Sequence, residues 1–258
     1  AQFNNEAPVT IDPGVEVFIY ENMINEGDMN IKEGALLHVE GTLTNNGIMT
    51  FQNSASLLRG SGGNDGTGSG NYIVRRQGSS TSGVYNFWSS PMQSHNVNVI
   101  GSSNRYYYDP YYGTLSNVDD TFDPGWMTTS GNMVPGTGYT SQAAGLVSFN
   151  GDVNNGNVNK SVVYYNGNGN PGQTPAAGTY FNLIGNPYPS GLDVSDFLTA
   201  NSGVISGAVY LWDDPGVTPY DAQDYATINA AGTVSNGNGT FNSGSWQGSI
   251  ASGQGFKV

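Results

Sequence analysis

The sequence predicts an all-β protein in which a short N-terminal β-solenoid is followed by a duplicated β-sandwich or jelly-roll-like region. Three observations support this fold class. Short runs of Val, Ile, Tyr, Phe and Trp are bounded by Gly, Asn or Pro, which is typical of strands and disfavours long helices. A period of twenty residues recurs near the N-terminus, and a longer repeat covers most of the remaining chain.

The twenty-residue repeat predicts the solenoid over residues 1–60. Residues 23–31 align with 43–51, and residues 13–19 align with 33–39, at a constant offset of twenty. Each pass holds two short alternating stretches, such as Val17/Ile19 and Met29/Ile31, separated by turn signals. Apolar residues that recur at a fixed phase are expected in stacked coils, because each coil buries its inward side chains against its neighbours.

Polar residues at fixed phase in this repeat favour structural roles. Asn25 and Asn45 share one phase, and an asparagine at a solenoid corner can pair its amide with the next coil, so we expect stacking rather than ligand binding. All six Glu lie before residue 41 and are expected to form a solvated face that discourages pairing with foreign strands. The Gly-rich residues 61–70 predict a linker or long loop.

Three sequence landmarks occur twice in the same order, which predicts one β-sandwich module written twice, over residues 71–170 and 171–258. The pairs are 87–92 with 183–188, 106–109 with 210–213, and 134–139 with 251–256. The apolar residues that run into Ser-Pro or Asn-Pro indicate buried strands that stop before proline. The Gly-x-Gly-aromatic pattern indicates a strand entered through a sharp bend, and Trp88, Trp212 and Phe256 are expected in the core.

The second copy is expected to be incomplete at its C-terminus. In the first copy the third landmark is followed by a strand at residues 146–149, whereas the chain ends at Val258 before any counterpart. An incomplete sheet has an open edge that invites a strand from elsewhere.

The charge balance excludes some classes of partner. The net charge is −13, and from Tyr106 onward the only basic residues are Lys160 and Lys257, against eleven Asp. Nucleic acids and anionic membranes are therefore disfavoured, which leaves neutral glycans, divalent cations and other proteins. No apolar run is long enough to span a bilayer, and the opening Ala1-Gln2-Phe3 resembles a mature terminus left after signal cleavage.

The chain lacks the residues that common enzyme chemistries need. Only His38 and His95 could serve a Ser-His-Asp arrangement. His38 lies at the phase of Phe18 in the solenoid repeat and His95 lies in a polar loop, and neither place is typical of a catalytic histidine. The same shortage and the absence of cysteine disfavour zinc. We therefore expect no catalytic residues, no enzyme activity and no required cofactor.

Two kinds of ligand remain as candidates. Calcium suits oxygen-rich loops, and the candidate ligands are Asp119, Asp120, Asp123, Asp213 and Asp214. Sugars stack on exposed aromatic rings, and the candidate binding residues are Tyr111, Tyr112 and Trp126.

Four segments resemble a family of large bacterial proteins exported by the type IX secretion system, many of them adhesins or gliding-associated surface proteins. They are Thr-Asn-Asn-Gly at 44–47, Trp-Ser-Ser-Pro at 88–91, Asn-Leu-Ile-Gly-Asn-Pro-Tyr-Pro-Ser at 182–190 and Gly-Gln-Gly-Phe at 253–256. The resemblance implies a modular, exported protein located at the cell surface. It supplies no catalytic residues.

Together these observations predict a non-enzymatic, extracellular structural or adhesive module. Its expected partners are other copies of itself or further domains of the same polypeptide. It could form a filament subunit completed by a strand from a neighbouring chain or from downstream sequence. The alternative is a calcium-assisted glycan-binding module of a secreted protein.

Overall fold

A computed structural model describes most of the chain: residues 2–60, 68–101, 104–110, 125–142, 144–163, 181–213, 216, 222–235, 237–239 and 248–258. The predicted all-β fold is confirmed, since strands account for most of the regular structure within these ranges. One α-helix, α1 (Val194–Ala200), and two short 3-10 helices, Val97–Ile100 and Ala222–Asp224, lie between them.

Nine short strands form the predicted solenoid as three stacked coils. They are β1 (Gln2–Asn5), β2 (Val9–Ile11), β3 (Glu16–Ile19), β4 (Asn22–Asn25), β5 (Met29–Ile31), β6 (Leu36–Val39), β7 (Leu43–Asn45), β8 (Ile48–Phe51) and β9 (Ser56–Arg59). Each strand of the first two coils pairs in parallel with the strand twenty residues further on, for example Val17 with Leu37. The expectation of two strands per coil is wrong. Strand β4 lies between the two predicted stretches, and a bend at residues 26–28, at one of the predicted turn signals, separates it from β5, giving three sheets of stacked rungs.

A ladder of buried asparagines runs along the solenoid at one corner. The Asn5 Nδ2 donates to the Asn25 Oδ1 at 2.6 Å, and the Asn25 Nδ2 donates to the Asn45 Oδ1 at 2.7 Å. The Asn45 Nδ2 then donates to the backbone oxygen of Asn71 at 3.2 Å. The structural role expected for these asparagines is confirmed, because each amide satisfies its neighbour in a place that water hardly reaches.

The next eight strands belong to the first copy and to the end of the solenoid. They are β10 (Asn71–Gln77), β11 (Tyr85–Trp88), β12 (His95–Asn96), β13 (Arg105–Tyr108), β14 (Trp126–Thr128), β15 (Asn132–Met133), β16 (Tyr139–Gln142) and β17 (Leu146–Gly151). Strand β10 pairs in parallel with β8 and so continues one solenoid sheet, and β17 pairs antiparallel with β10.

This arrangement corrects the reason for expecting a missing strand in the second copy. The strand predicted at 146–149 exists as β17, but it completes the solenoid sheet β2-β5-β8-β10-β17. The sheet of the first copy has the order β11-β16-β13-β14 without it. The sheet of the second copy therefore needs no counterpart of β17 to match the sheet of the first copy.

The last seven strands form the second copy with the same strand order as the first. They are β18 (Leu183–Gly185), β19 (Leu192–Asp193), β20 (Ala208–Trp212), β21 (Tyr225–Asn229), β22 (Gly232–Ser235), β23 (Ser249–Ile250) and β24 (Gly255–Lys257). The sheet runs β18-β24-β20-β21-β22 and has one strand more than the sheet of the first copy. In both copies the strand of the third landmark lies between the strands of the first and second landmarks. Each copy also has a small two-stranded sheet, β12-β15 in the first and β19-β23 in the second. A helix follows directly after β12 and after β19 in the chain.

The described residues form two hydrophobic cores. One extends without a break from the solenoid into the first copy and includes Phe51, Trp88 and Phe149, and the other lies within the second copy around Phe256. The first core includes residues up to Leu57 in the solenoid and residues from Tyr72 onward in the chain. The solenoid and the first copy are thus packed together as one continuous body.

Candidate functional site

The two copies contact each other reciprocally through their first and third landmarks. Trp88 forms a β-bridge with Gln254, and at the equivalent place Thr137 forms one with Ile184. The backbone N–H of Ser89 donates to the oxygen of Gly253 at 2.8 Å, and that of Gly185 donates to Gly136 at 3.1 Å. This exchange has the pattern of a two-fold dimer interface built within one chain.

Glycine is required where these backbones meet. Gly136 and Gly253 have φ angles of +75° and +66°, which L side chains rarely adopt. A Cβ added at Gly255 would lie 2.9 Å from the Trp88 oxygen, and one at Gly138 would lie 2.6 Å from the Ile184 oxygen. The predicted sharp bend and close approach are therefore present, and the neighbour in each case is the other copy.

Two buried asparagines fasten the loops at this junction. The Asn154 Nδ2 donates to the oxygens of Met92 in the first copy and Pro187 in the second, at 3.0 and 2.9 Å. The Asn186 Nδ2 donates to the oxygens of Ser190 and Ile250 at 2.7 and 3.0 Å. The Asn154 amide therefore joins the two copies, and the Asn186 amide joins two segments of the second copy.

An aromatic cluster joins the two sheets beside this junction. Tyr108 pairs with Trp126 across β13 and β14, and Trp212 pairs with Tyr225 at the equivalent place in the second copy. Phe87 lies between them, with its ring centroid 5.4 Å from that of Trp212 and 5.7 Å from that of Trp126. The cluster is the side-chain part of the contact between the copies.

Lys257 enters this cluster from β24. Its Nζ lies 4.5 Å from the ring centroid of Tyr225 and between 5.5 and 5.9 Å from those of Phe181, Tyr108 and Trp126. Burial lowers the pKa of Lys257 to about 8. The ring faces favour the ammonium form and oppose part of that effect. Within the described part of the chain no carboxylate contacts this amine.

A polar groove of about 440 Å³ lies where β10, β11 and residues 251–254 meet. Arg76 lines it, together with neutral polar and aromatic residues from both copies. Burial lowers the pKa of Arg76 to about 10. Asp213 lines the same groove, which therefore carries one cationic and one anionic side chain.

The N-terminal end of the solenoid is a second concave surface. It encloses about 250 Å³ and is lined mainly by apolar side chains of the first coil. Among the described residues nothing pairs with the outer edges of β1, β2 and β3.

The structure places only part of the predicted ligand residues. Trp126 belongs to the aromatic cluster, and the Asp213 Oδ2 accepts the backbone N–H of Gly239 at 3.1 Å. The other predicted residues lie outside the described ranges: Asp119, Asp120, Asp123, Asp214, Tyr111 and Tyr112. Across the described ranges no three acidic or histidine side chains are grouped so as to share a metal ion.

Sequence reasoning missed the polar groove, Lys257 and Asn154. Arg75 and Arg76 are adjacent, and only strand alternation on β10 separates an outward arginine from an inward one. The repeat itself gave a signal for the aromatic cluster, because the second landmark has an aromatic residue at the same place in both copies, Tyr108 and Trp212.

In the part of the chain that the structure describes, no helix has the length and apolar character needed to cross a bilayer. No curated protein and no solved structure matches the sequence. A family described as a domain of unknown function, DUF8693, matches residues 3–258, so the chain belongs to that family.

Proposed function

We propose that the chain is a non-enzymatic structural and adhesive module of a bacterial cell surface, and that its N-terminal solenoid end joins one further β coil. The observation that carries this proposal is the difference between the two ends of the solenoid. One end is covered by the rest of the chain, and the other presents three strand edges above an apolar concavity.

The first coil exposes positions that are buried in the other coils. Val15 is 44% exposed, whereas Ala35 and Ala55, at the same phase, are each 1% exposed. Phe3 is 45% exposed, whereas Met23 at the same phase is fully buried. A solenoid normally ends in a capping unit with a polar outer face, and here the outer face of the first coil keeps the apolar character of an internal coil.

At the opposite end each of the three sheets contacts the rest of the chain. Strand β10 pairs with β8, and the Gly70 N–H donates to the Asn45 oxygen at 2.8 Å. In the third sheet the Leu57 N–H donates to the oxygen of Pro189, which belongs to the second copy, at 2.9 Å. Growth along the solenoid axis is therefore available at the N-terminal end alone among the described surfaces.

The asparagine ladder and the charges define the coil that fits. The ladder runs in one direction, so an added coil should carry an asparagine whose amide donates to the Asn5 Oδ1. Acidic residues surround the open end, and no Lys or Arg precedes Lys32; the acidic residues of the first coil are Glu6, Asp12, Glu16 and Glu21. Two copies meeting end to end here would oppose these charges and direct two Asn5 Oδ1 acceptors at each other, so the expected partner is a coil that continues the ladder in the same direction.

Other features favour a cell-surface setting. Charged residues make up only 10% of the sequence, so amides and hydroxyls dominate its polar groups. Neither described concavity brings together a nucleophile, a base and an orienting group of the kind that hydrolytic catalysis uses. The resemblance to surface proteins of the type IX secretion system favours the same setting and that route of export.

Grafting a coil onto the open end tests the proposal. A second copy of residues 22–41, joined directly before Gln2, keeps the twenty-residue phase and presents Asn25 to Asn5. We expect the melting temperature to rise by several degrees, because the graft buries apolar side chains that are now exposed, each contributing about 1.5–3 kcal/mol when buried fully.

The matched control is the same graft with its inward apolar residues changed to Ser. This control should leave the melting temperature of the chain unchanged. Equal melting temperatures for the two grafts would show that the end does not accept a coil, and the proposal would then fail.

A further inference from the structure

We propose that the polar groove between the solenoid and the two copies binds a carboxylate-bearing saccharide, of the uronic acid type, through the guanidinium of Arg76. This site is separate from the open solenoid end, so it goes beyond the assembly function proposed above.

Arg76 points to the inside of the molecule. It alternates along β10 with Tyr72 and Val74, which are buried in the first core, and its cross-strand partner Val147 is buried too. The neighbouring Arg75 faces the other way, and its Nη1 donates to the Gln52 Oε1 at 3.2 Å. The two adjacent arginines thus occupy opposite faces of one strand.

The buried position of Arg76 creates a demand for an anion. No acceptor from the described part of the chain bonds its guanidinium, although the side chain is mostly buried. Leaving a desolvated cation without a partner is costly. A carboxylate is the best single partner, because its two oxygens match the guanidinium fork through two parallel hydrogen bonds.

The rest of the groove fits a saccharide better than a highly charged anion. Its polar lining consists largely of amides and hydroxyls, among them Asn86, Gln254 and Ser79, with the rings of Tyr85 and Trp212 beside them. Such groups exchange hydrogen bonds with sugar hydroxyls, and aromatic rings pack against sugar rings.

Two further groups complete this picture. The hydroxyl of Ser252, a groove residue that is 3% exposed, has no partner among the described residues. The Asp213 carboxylate adds a negative charge to the groove, which disfavours a phosphate or sulfate dianion more strongly than a single carboxylate. The groove volume of about 440 Å³ lies within the usual range for small-molecule sites, about 300–1,000 Å³.

Calorimetric titration with a galacturonic acid trimer tests the proposal, with a neutral glucose trimer and sodium acetate as comparison ligands. We expect the wild-type chain to bind the acidic trimer at least tenfold more tightly than either comparison ligand. Arg76→Gln should weaken binding of the acidic trimer at least tenfold, because the carboxylate loses its bidentate partner.

Arg75→Gln is the matched control, since it removes the same charge from the same strand on the opposite face. It should change the affinity by less than about twofold. Arg76→Lys, which keeps the charge but loses the fork, should give an intermediate affinity. No detectable binding of the acidic trimer by the wild-type chain would overturn the proposal, as would equal losses in the two Gln variants.

A second measurement needs no variant and stands even if Arg76→Gln fails to fold. Phenylglyoxal modifies accessible arginines, and mass spectrometry can map the modified sites. The acidic trimer should slow modification of Arg76 at least fivefold and leave Arg75 unaffected. Equal protection by the neutral trimer, or by acetate at the same concentration, would refute recognition of an acidic saccharide.

Discussion

The central asparagine of the solenoid ladder should be among the most sensitive polar positions in the protein. Asn25 is fully buried and links its own coil to both neighbouring coils, since it accepts from the Asn5 Nδ2 and donates to the Asn45 Oδ1. Substitution of Asn25 with Ala removes both hydrogen bonds and leaves one buried donor and one buried acceptor without partners.

The expected cost follows from those two orphaned groups. A buried polar group left unpaired costs about 1–3 kcal/mol, so Asn25→Ala should lower the free energy of unfolding by about 2–6 kcal/mol. Asn46→Ala is the matched control, because Asn46 is the exposed asparagine directly after Asn45 of the ladder. Asn46 is exposed; its Nδ2 donates to the Glu26 carboxylate at 2.9 Å and its Oδ1 accepts the Ser69 N–H at 3.1 Å, and because water can replace both partners its loss should cost about 1 kcal/mol or less.

Urea denaturation followed by circular dichroism measures both variants against the wild-type chain. A destabilisation by Asn25→Ala that is no greater than that of Asn46→Ala would refute the reasoning. It would mean that the amide ladder contributes no more to folding than a surface contact does.

Three other substitutions test the packing of the coils, the loops at the junction between the copies and the aromatic cluster. A Cβ at Gly47 would lie 2.0 Å from the Gly27 oxygen, so Gly47→Ala should cost about 3 kcal/mol in urea denaturation. Gly14→Ala, which meets open space at φ +72°, should cost only about 1 kcal/mol, and equal costs would contradict the stacking. Asn154→Ala should lower the free energy of unfolding by about 2–4 kcal/mol, whereas the exposed Asn150→Ala should leave it nearly unchanged. The pKa of Lys257 is lowered to about 8 in the folded state, so the unfolded chain binds more protons between pH 8 and about 10.5, and stability should rise with pH across that window. Thermal melts at pH 7.5 and 9.5 should show this rise for the wild-type chain relative to Lys257→Met, and parallel pH dependences would argue against a buried amine.

The solenoid was predictable because its repeat is written directly in the sequence. Stacked coils must place similar residues at a fixed phase, so Val17 and Leu37 align in the sequence and pair in the structure. The third strand of each coil was missed because strands of three or four residues, such as β4, carry too few alternating positions to be separated from the next turn.

The duplication was predictable from its landmarks, but the sheet that each strand joins was not. A run such as 146–149 signals a strand through its own residues, whereas its partner is chosen by packing elsewhere in the chain. Pairing with β10 buries Val147 and Phe149 in the core shared with the solenoid. The groove was hidden for a similar reason, since Arg75 and Arg76 differ only in the face of β10 that each occupies.

The open solenoid end is the central functional claim, and amide hydrogen exchange tests it most directly. In the chain alone, amides of β1, β2 and β3 that point away from the second coil should exchange fast, and those that point toward it should be protected, as for Val9, whose N–H donates to the Asp28 oxygen at 2.9 Å. Adding the grafted coil should slow the outward amides at least a hundredfold, and the Ser-substituted graft should not. Outward amides that are already protected in the chain alone, or that respond equally to both grafts, would contradict an open end built to receive another coil.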